Sequence, residues 1–464
     1  MSISNVDSKS EWLDSLFSVL TDVEAAEKEL SYVSHCGTEH ARKLSGSYYT
    51  PIDVARFFWN EFFVHNDITS ANNAAVFLKS HTFVEPSVGA GALFFALLER
   101  LLKAGVTPLD MSKIEVDLVD INQHALTFIR TKVTQLENAF RIKFHNLRFI
   151  SADFRELEYG SHARPVVFFG NPPFVANEKA TSNWKNIFAD FVEICLNEGG
   201  ASGSIHFILP ISVAFSRDYW RLREMLRSKS RKIVLSHFDN IPDTLFKSGK
   251  PLHDNSNKAN SQRCSILTAL PHRSPVVLST KLHRWSKRDR ESVLGQSPEY
   301  FNVTCYEFDD QFPRPENVQI LSYLVDAGNA PTLGDTLSQN GRYSLCVGSV
   351  ARNYIGIREE IGSGIHQLGF DRKSDFYFAL GLLSSDLFKD YWLTVGDGFH
   401  VTKSNILDFP VLPRVAEALA KNQRKMAHIW SKRSEFAKLK LNSGKSTSSY
   451  DFSQVAPSLY RALS

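Results

Sequence analysis

Cysteine is scarce in this chain of 464 residues: there are five, Cys36, Cys195, Cys264, Cys305 and Cys346. No two form a Cys-x-x-Cys pair, which argues against a zinc site or a disulfide framework. None follows a proline. Nor is there a run of about 18 uncharged apolar residues, so no membrane-spanning helix and no membrane partner is expected. Met1 to Lys9 has no basic start leading into an apolar core, so no secretory leader is read and the expected location is the cytoplasm. Internal repeats and low-complexity tracts are missing. So is a P-loop, because Gly444-Lys445-Ser446 lacks the leading glycine. The stretch before Gly46 is too short for a nuclease domain, and no acidic–lysine triad stands out. No metal site is expected.

What is present describes a folded protein: 43% hydrophobic and 22% charged residues place it outside the disordered class. The length exceeds one ordinary core, so two domains are expected. Net charge is +3, a weak hint of an anionic partner. Two local clusters say more. Lys281, His283, Arg284, Lys287, Arg288 and Arg290 surround Trp285. Lys421, Arg424, Lys425, Lys432, Arg433, Lys438 and Lys440 have only Glu435 among them. Each reads either as a solvated face or as a phosphate-binding surface.

Glu11 to Leu30 has helical spacing (Leu13, Leu16, Phe17, Leu20) and predicts an amphipathic helix. From Gly46 to Leu270, short apolar runs alternate with helical stretches. Strands are expected at Thr82–Val84, Val116–Val119, Leu147–Ile150, Val166–Phe169, Ile205–Leu209, Ile233–Phe238 and Cys264–Leu270. Helices are expected at Gly91–Ala104 and Ile187–Leu196, among others. This alternation predicts an α/β fold with a mainly parallel sheet covered on both faces. Asp254 to Gln262 reads as a mobile loop. The texture changes near Pro271–Pro275, giving expected divisions at 1–45, 46–273 and 274–464. Arg461 to Ser464 reads as a helix still in progress, implying further chain.

Val84-Glu85-Pro86-Ser87-Val88-Gly89-Ala90-Gly91 joins a strand to a helix. Its glycines permit close backbone approach to a ligand. The acid at the strand end suits a cationic or hydroxyl-bearing ligand better than a pyrophosphate, so the dinucleotide fingerprint fits poorly. Asp120 ends the next strand, where an acid can accept ribose hydroxyls, and Asp153 follows the one after. Acids also cap helices at such places. Their common placement at the carboxyl ends of successive strands favours ligand binding.

Phe169-Gly170-Asn171-Pro172-Pro173-Phe174 is the sharpest signal. Two prolines stiffen the loop and remove two donors. What remains is a set of acceptors, the Asn171 amide oxygen and the Pro172 carbonyl, beside the aromatic face of Phe174. That suits a flat base carrying an amino group, with Phe174 stacked on the ring.

Taken in order, Gly46-Ser47-Tyr48-Tyr49-Thr50-Pro51, Glu85 to Gly91, Asp120, Asp153 and Asn171 to Phe174 resemble the gamma-class N6-adenine DNA methyltransferases of restriction–modification systems. The likeness covers about half the chain. It implies a Rossmann-like S-adenosylmethionine-dependent methyltransferase domain followed by an α+β DNA target recognition domain. It also implies transfer of a methyl group from S-adenosylmethionine to a flipped-out adenine in double-stranded DNA. Asn171, Pro172, Pro173 and Phe174 would be catalytic. Tyr48, Tyr49, Thr50, Pro51, Glu85, Pro86, Ser87, Gly89, Gly91, Asp120, Ile121, Asp153, Phe154 and Asn171 would hold the cofactor. Thr50 and Glu85 would take its methionine end, Asp120 the ribose, and Asp153-Phe154 the adenine. Phe246 would be a second aromatic near the target base, with Phe238 the alternative. The expected partners are duplex DNA and a separate restriction endonuclease or other defence-system subunit.

One departure is the separation of Glu85 from Asp120, longer than the roughly 20 residues usual between glycine turn and ribose acid, with Asp117 as a substitute. Phe378–Ser385, Tyr391-Trp392, Gly396-Asp397-Gly398 and Asp408-Phe409-Pro410 are similar to segments of type II recognition domains. The missing Pro-Cys argues against cytosine C5 chemistry, and N4-cytosine enzymes more often carry serine in place of Asn171. Methylation of RNA adenine or of a protein glutamine, which shares the Asn-Pro-Pro loop, stays open.

Overall fold

The computed structural model describes residues 4–33, 50–158, 163–177, 182–230, 232–246, 262–306, 310–338, 341–442 and 445–463. The chain divides into two compact units, residues 1–278 with 283–304, and residues 279–282 with 305–464. After the change of texture at Pro271–Pro275, two further strands, β8 (Val276–His283) and β9 (Phe301–Asn302), continue the large sheet. Among the described residues, no helix is long and apolar enough to cross a membrane and no His/Cys/Asp/Glu group could hold a metal.

The first unit is a nine-stranded sheet in the order β3-β2-β1-β4-β5-β7-β6-β8-β9. All seven expected strands form: β1 Thr82–Glu85, β2 Glu115–Asp120, β3 Asn146–Ser151, β4 Val166–Gly170, β5 Ser204–Pro210, β6 Lys232–Phe238 and β7 Cys264–Leu270. Strands β1 to β5 pair in parallel, whereas β7 inserts antiparallel between β5 and β6. Strands β1, β4 and β7 are buried throughout, the burial expected when helices cover both faces of a sheet.

Helix α1 (Ser4–Val33) packs against α4 (Ala92–Ala104) and α5 (Gln123–Phe140). It buries Leu16, Val19, Leu20 and Val23. Phe17, expected on that face, is exposed instead, because the buried stripe follows 16, 19, 20 and 23. Helix α2 (Ile52–His65) runs under the sheet: the Trp59 indole donates to the Leu93 carbonyl (2.7 Å) and Arg56 forks onto Glu99 (2.7 and 2.8 Å). Its Phe58 carbonyl lies 2.8 Å from His206 Nε2 on β5, and Trp59 meets Phe169 of β4 edge-on. These contacts anchor α2 to β4 and β5, with Thr50-Pro51 at its N-terminal end. Helices α3 (Ala71–Ser80), α6 (Ile187–Gly199) and α7 (Trp220–Lys229) complete the layers, each of α3 and α6 capped by a side chain, Ser70 and Asn186.

The second unit is α+β. Its five-stranded antiparallel sheet has the order β12-β10-β11-β14-β13, with β10 Tyr343–Gly348, β11 Ile357–Arg358, β12 Ile365–Phe370, β13 Ala437–Asn442 and β14 Lys445–Tyr450. Helices α8 (Val318–Ala327), α9 (Lys373–Leu383), α10 (Asp386–Val395), α11 (Pro413–Lys421) and α12 (Gln423–Ser431) supply the rest. Ala379, Leu380, Leu382, Leu383, Tyr391 and Trp392 are buried, so the segments singled out at 378–385 and 391–392 build this unit's core. The expected mobile loop falls at 254–261, outside the described residues apart from Gln262.

Candidate active site

Three loops leave the carboxyl ends of β1, β2 and β4, the edge where open parallel sheets take ligands. The glycine loop after β1 crosses to β2: Val88 N–H donates to the Val119 carbonyl at 3.0 Å, and Gly89 N–H to Asp120 Oδ2 at 2.8 Å. Gly89 (φ +54°) and Gly91 (φ +88°) adopt the left-handed region, which spares a side chain at the turn into α4. At Gly91 a Cβ would lie 3.0 Å from the Phe95 ring and 3.3 Å from Ile129.

Asp120 accepts from two backbone N–H groups, Gly89 on Oδ2 and Asn122 on Oδ1 (2.8 Å each). Burial pushes its carboxyl up, and these N–H groups with that of Ile121 pull it back. Ile121, the next residue, stands 76% exposed beside that acid. Asp117, the alternative acid, is wholly buried three residues earlier and forked by Arg148 of β3 at 2.5 Å. The long separation of Glu85 from Asp120 is taken up by α4 and a further turn at Pro108–Met111, and both acids still end adjacent strands.

Glu85 is 1% exposed, and its Oε2 has no hydrogen-bond partner among the described residues. Burial, and secondarily the charge of Asp120, hold its carboxyl well above the usual range. An uncompensated buried carboxylate is costly in isolation. A cationic or donor-bearing group placed there would offset that cost. Next to it, Ser87 Oγ donates to the Asn171 carbonyl at 3.3 Å, and Asn171 Nδ2 donates to Thr50 Oγ1 at 3.3 Å. Thus Thr50, Ser87 and Asn171, far apart in sequence, form one chain of contacts. Pro51 and Thr50 are buried; Tyr48 and Tyr49 lie outside the described residues.

Phe174 is nearly buried, and its ring meets Phe246 edge-on at 6.3 Å. Phe238 instead packs with Phe57 and Trp285 in the core, so Phe246 is the aromatic beside the loop. Asp153 turns back on its own chain: it caps the Phe154–Glu156 turn and ion-pairs with Arg155 at 2.6 Å, which holds its carboxyl below the usual range. Phe154 is buried against Phe168 and Phe191.

The basic cluster around Trp285 divides. Arg284 ion-pairs with Asp239 at 2.6 Å, and Arg290 is buried between Asp53 and Asp243. Arg290 is thus a structural cation, while Lys281, Arg284, Lys287 and Arg288 are exposed. Sequence reasoning missed Asp53, Asp243 and Arg290 as site-supporting residues, since their partners are more than 40 positions apart.

No family model and no curated protein matches the chain. Among solved structures it is similar to the Type IIL restriction-modification enzyme MmeI in complex with DNA (TM-score 0.50, 12% identity), over 85% of this chain and 72% of that one. It is also similar to the type IIG restriction endonuclease BpuSI (TM-score 0.42, 11% identity, 88% and 65% covered). A third is the type I restriction-modification system methyltransferase subunit from Streptococcus thermophilus (TM-score 0.36, 13% identity, 53% and 52% covered). The chain spans about a third of the DrdV and LlaGI chains it also resembles. At these identities the likeness is one of fold, and the MmeI match extends it over both units. The chain has an α/β, Rossmann-like fold with a mainly parallel sheet, followed by an α+β unit.

Proposed function

We propose that this chain is an S-adenosylmethionine-dependent DNA methyltransferase acting on adenine N6, the modification enzyme of a restriction–modification system. The observation that carries the reading is the convergence of Thr50, Ser87 and Asn171 at the sheet edge that also holds Glu85 and the Gly89–Asp120 contact.

The donor set fits the cofactor. Glu85 would meet the methionine ammonium, Asp120 the ribose hydroxyls through lone pairs left by its two backbone bonds, and exposed Ile121 the adenine face. Bound there, S-adenosylmethionine supplies an electrophilic methyl group. The chain's own part is to hold an acceptor nitrogen in line with it. The Asn171 amide, oriented by its donation to Thr50, turns its oxygen to the task of accepting a hydrogen from the amino group. The Pro172 carbonyl accepts the other. Both pull electron density toward the nitrogen lone pair and fix its direction, so catalysis rests on placement and electrostatics without a covalent intermediate. Duplex DNA must yield the base at a cost of a few kcal/mol. Stacking on Phe174 and Phe246 offsets about 1–3 kcal/mol per ring contact. Asn171, where N4-cytosine enzymes more often have serine, favours adenine.

Tritiated methyl transfer to duplex DNA, followed by nucleoside analysis, tests this. N6-methyladenine is expected from wild type and a loss of about 10²-fold or more from Asn171→Ala. Equal incorporation by both proteins refutes the catalytic assignment, and preference for RNA or a protein acceptor transfers it to another substrate.

A further inference from the structure

Arg290, read from the sequence only as one of the basic cluster around Trp285, touches two segments that border the Asn171–Phe174 loop. Arg290 is 8% exposed. Nε and Nη2 fork onto Asp53 (2.6 and 3.2 Å), three residues after Thr50. Nη1 donates to the Thr244 carbonyl at 2.6 Å and Nη2 to the Leu245 carbonyl at 2.8 Å, immediately before Phe246. Asp243 adds a longer contact at 3.4 Å, and is itself held by the Trp285 indole at 3.1 Å. One side chain therefore binds the start of α2, whose Thr50 meets Asn171, and the strand exit whose Phe246 meets Phe174.

We propose that Arg290 is a positioning residue for methyl transfer, keeping the Thr50 and Phe246 segments in register with the Asn171–Phe174 loop between them; this rests on the function proposed above. A planar fork with five donors can serve a carboxylate and two carbonyls at once. Lysine, a point charge on a flexible stem, can serve one or the other. Glu85 and Asp120, the carboxylates proposed to meet the cofactor, lie on a different set of contacts, so the loss expected at Arg290 falls on kcat more than on cofactor affinity.

The test uses full-length wild type, Arg290→Lys and Arg290→Gln. Methyl transfer to duplex DNA is measured with each substrate varied, alongside amide hydrogen exchange of the ligand-free proteins. Arg290→Gln is expected to lose about 10- to 10²-fold in kcat with KM for S-adenosylmethionine changed by less than about threefold, and Arg290→Lys to fall between. Exchange should quicken together in 52–55 and 243–246, with β4 and β5 unchanged. Quickening of one segment alone overturns the proposal. So does a kcat held near wild type in both variants while melting temperature falls, or a KM for S-adenosylmethionine that rises in step with the lost kcat. If Arg290→Gln does not fold, Asp53→Asn removes one anchor only, and loosening must still reach 243–246. Should wild type transfer no methyl group to DNA, the functional reading fails by itself and exchange alone decides the coupling.

Discussion

Asn171 and Thr50, separated by 121 positions, are joined by one hydrogen bond from the amide nitrogen to the hydroxyl at 3.3 Å. The bond decides which way the amide faces, and hence which of its two atoms can accept from a substrate amino group. Thr50→Val keeps the shape of the side chain and removes that acceptor. Its expected effect is a fall in kcat of about fivefold to tenfold, the equivalent of one ordinary hydrogen bond of about 1 kcal/mol. Single-turnover methyl transfer at saturating cofactor measures it. An unchanged rate would show that the loop's prolines alone set the amide.

Glu85 gives a pH signature. Its folded carboxyl is held above its unfolded value by burial and by Asp120. The contribution of protonated Glu85 to stability is therefore fully present below the unfolded value and is lost as pH rises through the raised one. Ligand-free Glu85→Gln escapes that loss. Its melting temperature should exceed that of wild type by about 2 °C or more at pH 8, with the gap closing toward pH 4. The same variant should bind S-adenosylmethionine more weakly, because the charge that destabilises the empty site is the one proposed to meet the ligand's ammonium group. Thermal melts across pH and equilibrium binding read the two effects separately. A gap that widens toward acid would reverse the assigned sign.

Phe174 and Phe246 touch edge-on, so that Phe246 buttresses the ring proposed to stack on the base. Phe174→Ala is expected to raise KM for DNA and lower kcat, together worth about 1–3 kcal/mol, with Phe174→Trp retaining most activity. Fluorescence of 2-aminopurine at the target position reports whether extrusion itself is impaired. Normal extrusion in the alanine variant would remove Phe174 from the stacking role.

The sheet was legible because its central strands are short apolar runs buried on both faces, as Val166–Gly170 and Cys264–Leu270 show. Strand β8 was not, since Val276–His283 mixes Ser279, Thr280 and Lys281 into its apolar positions and follows a Pro-rich turn. The acids at strand ends were visible one by one; their mutual placement was not. The roles of Asp53 and Arg290 had no local signal at all. A cation in a basic cluster looks solvated until the fold brings a carboxylate from 237 positions away. Asp117 and Asp120, only three residues apart, show the limit of spacing arguments. The pleat turns the first into the sheet against Arg148 and leaves the second at the edge.

Gly91 ties the fold to the site and carries the last prediction. At φ +88° an L side chain is strained, and a Cβ would meet the Phe95 ring at 3.0 Å and Ile129 at 3.3 Å, both in helices that pack beneath the loop. Gly91→Ala should therefore cost about 1–3 kcal/mol in stability, from the backbone alone and before any repacking. The backbone next to it is what carries Gly89 N–H to Asp120, so the strain should also relax that contact and weaken cofactor binding about tenfold or more. Urea denaturation measures the first effect and equilibrium binding of S-adenosylmethionine the second. A destabilised variant with unchanged affinity would place Gly91 in the packing of α4 only, leaving Gly89 and Asp120 to hold the loop by themselves.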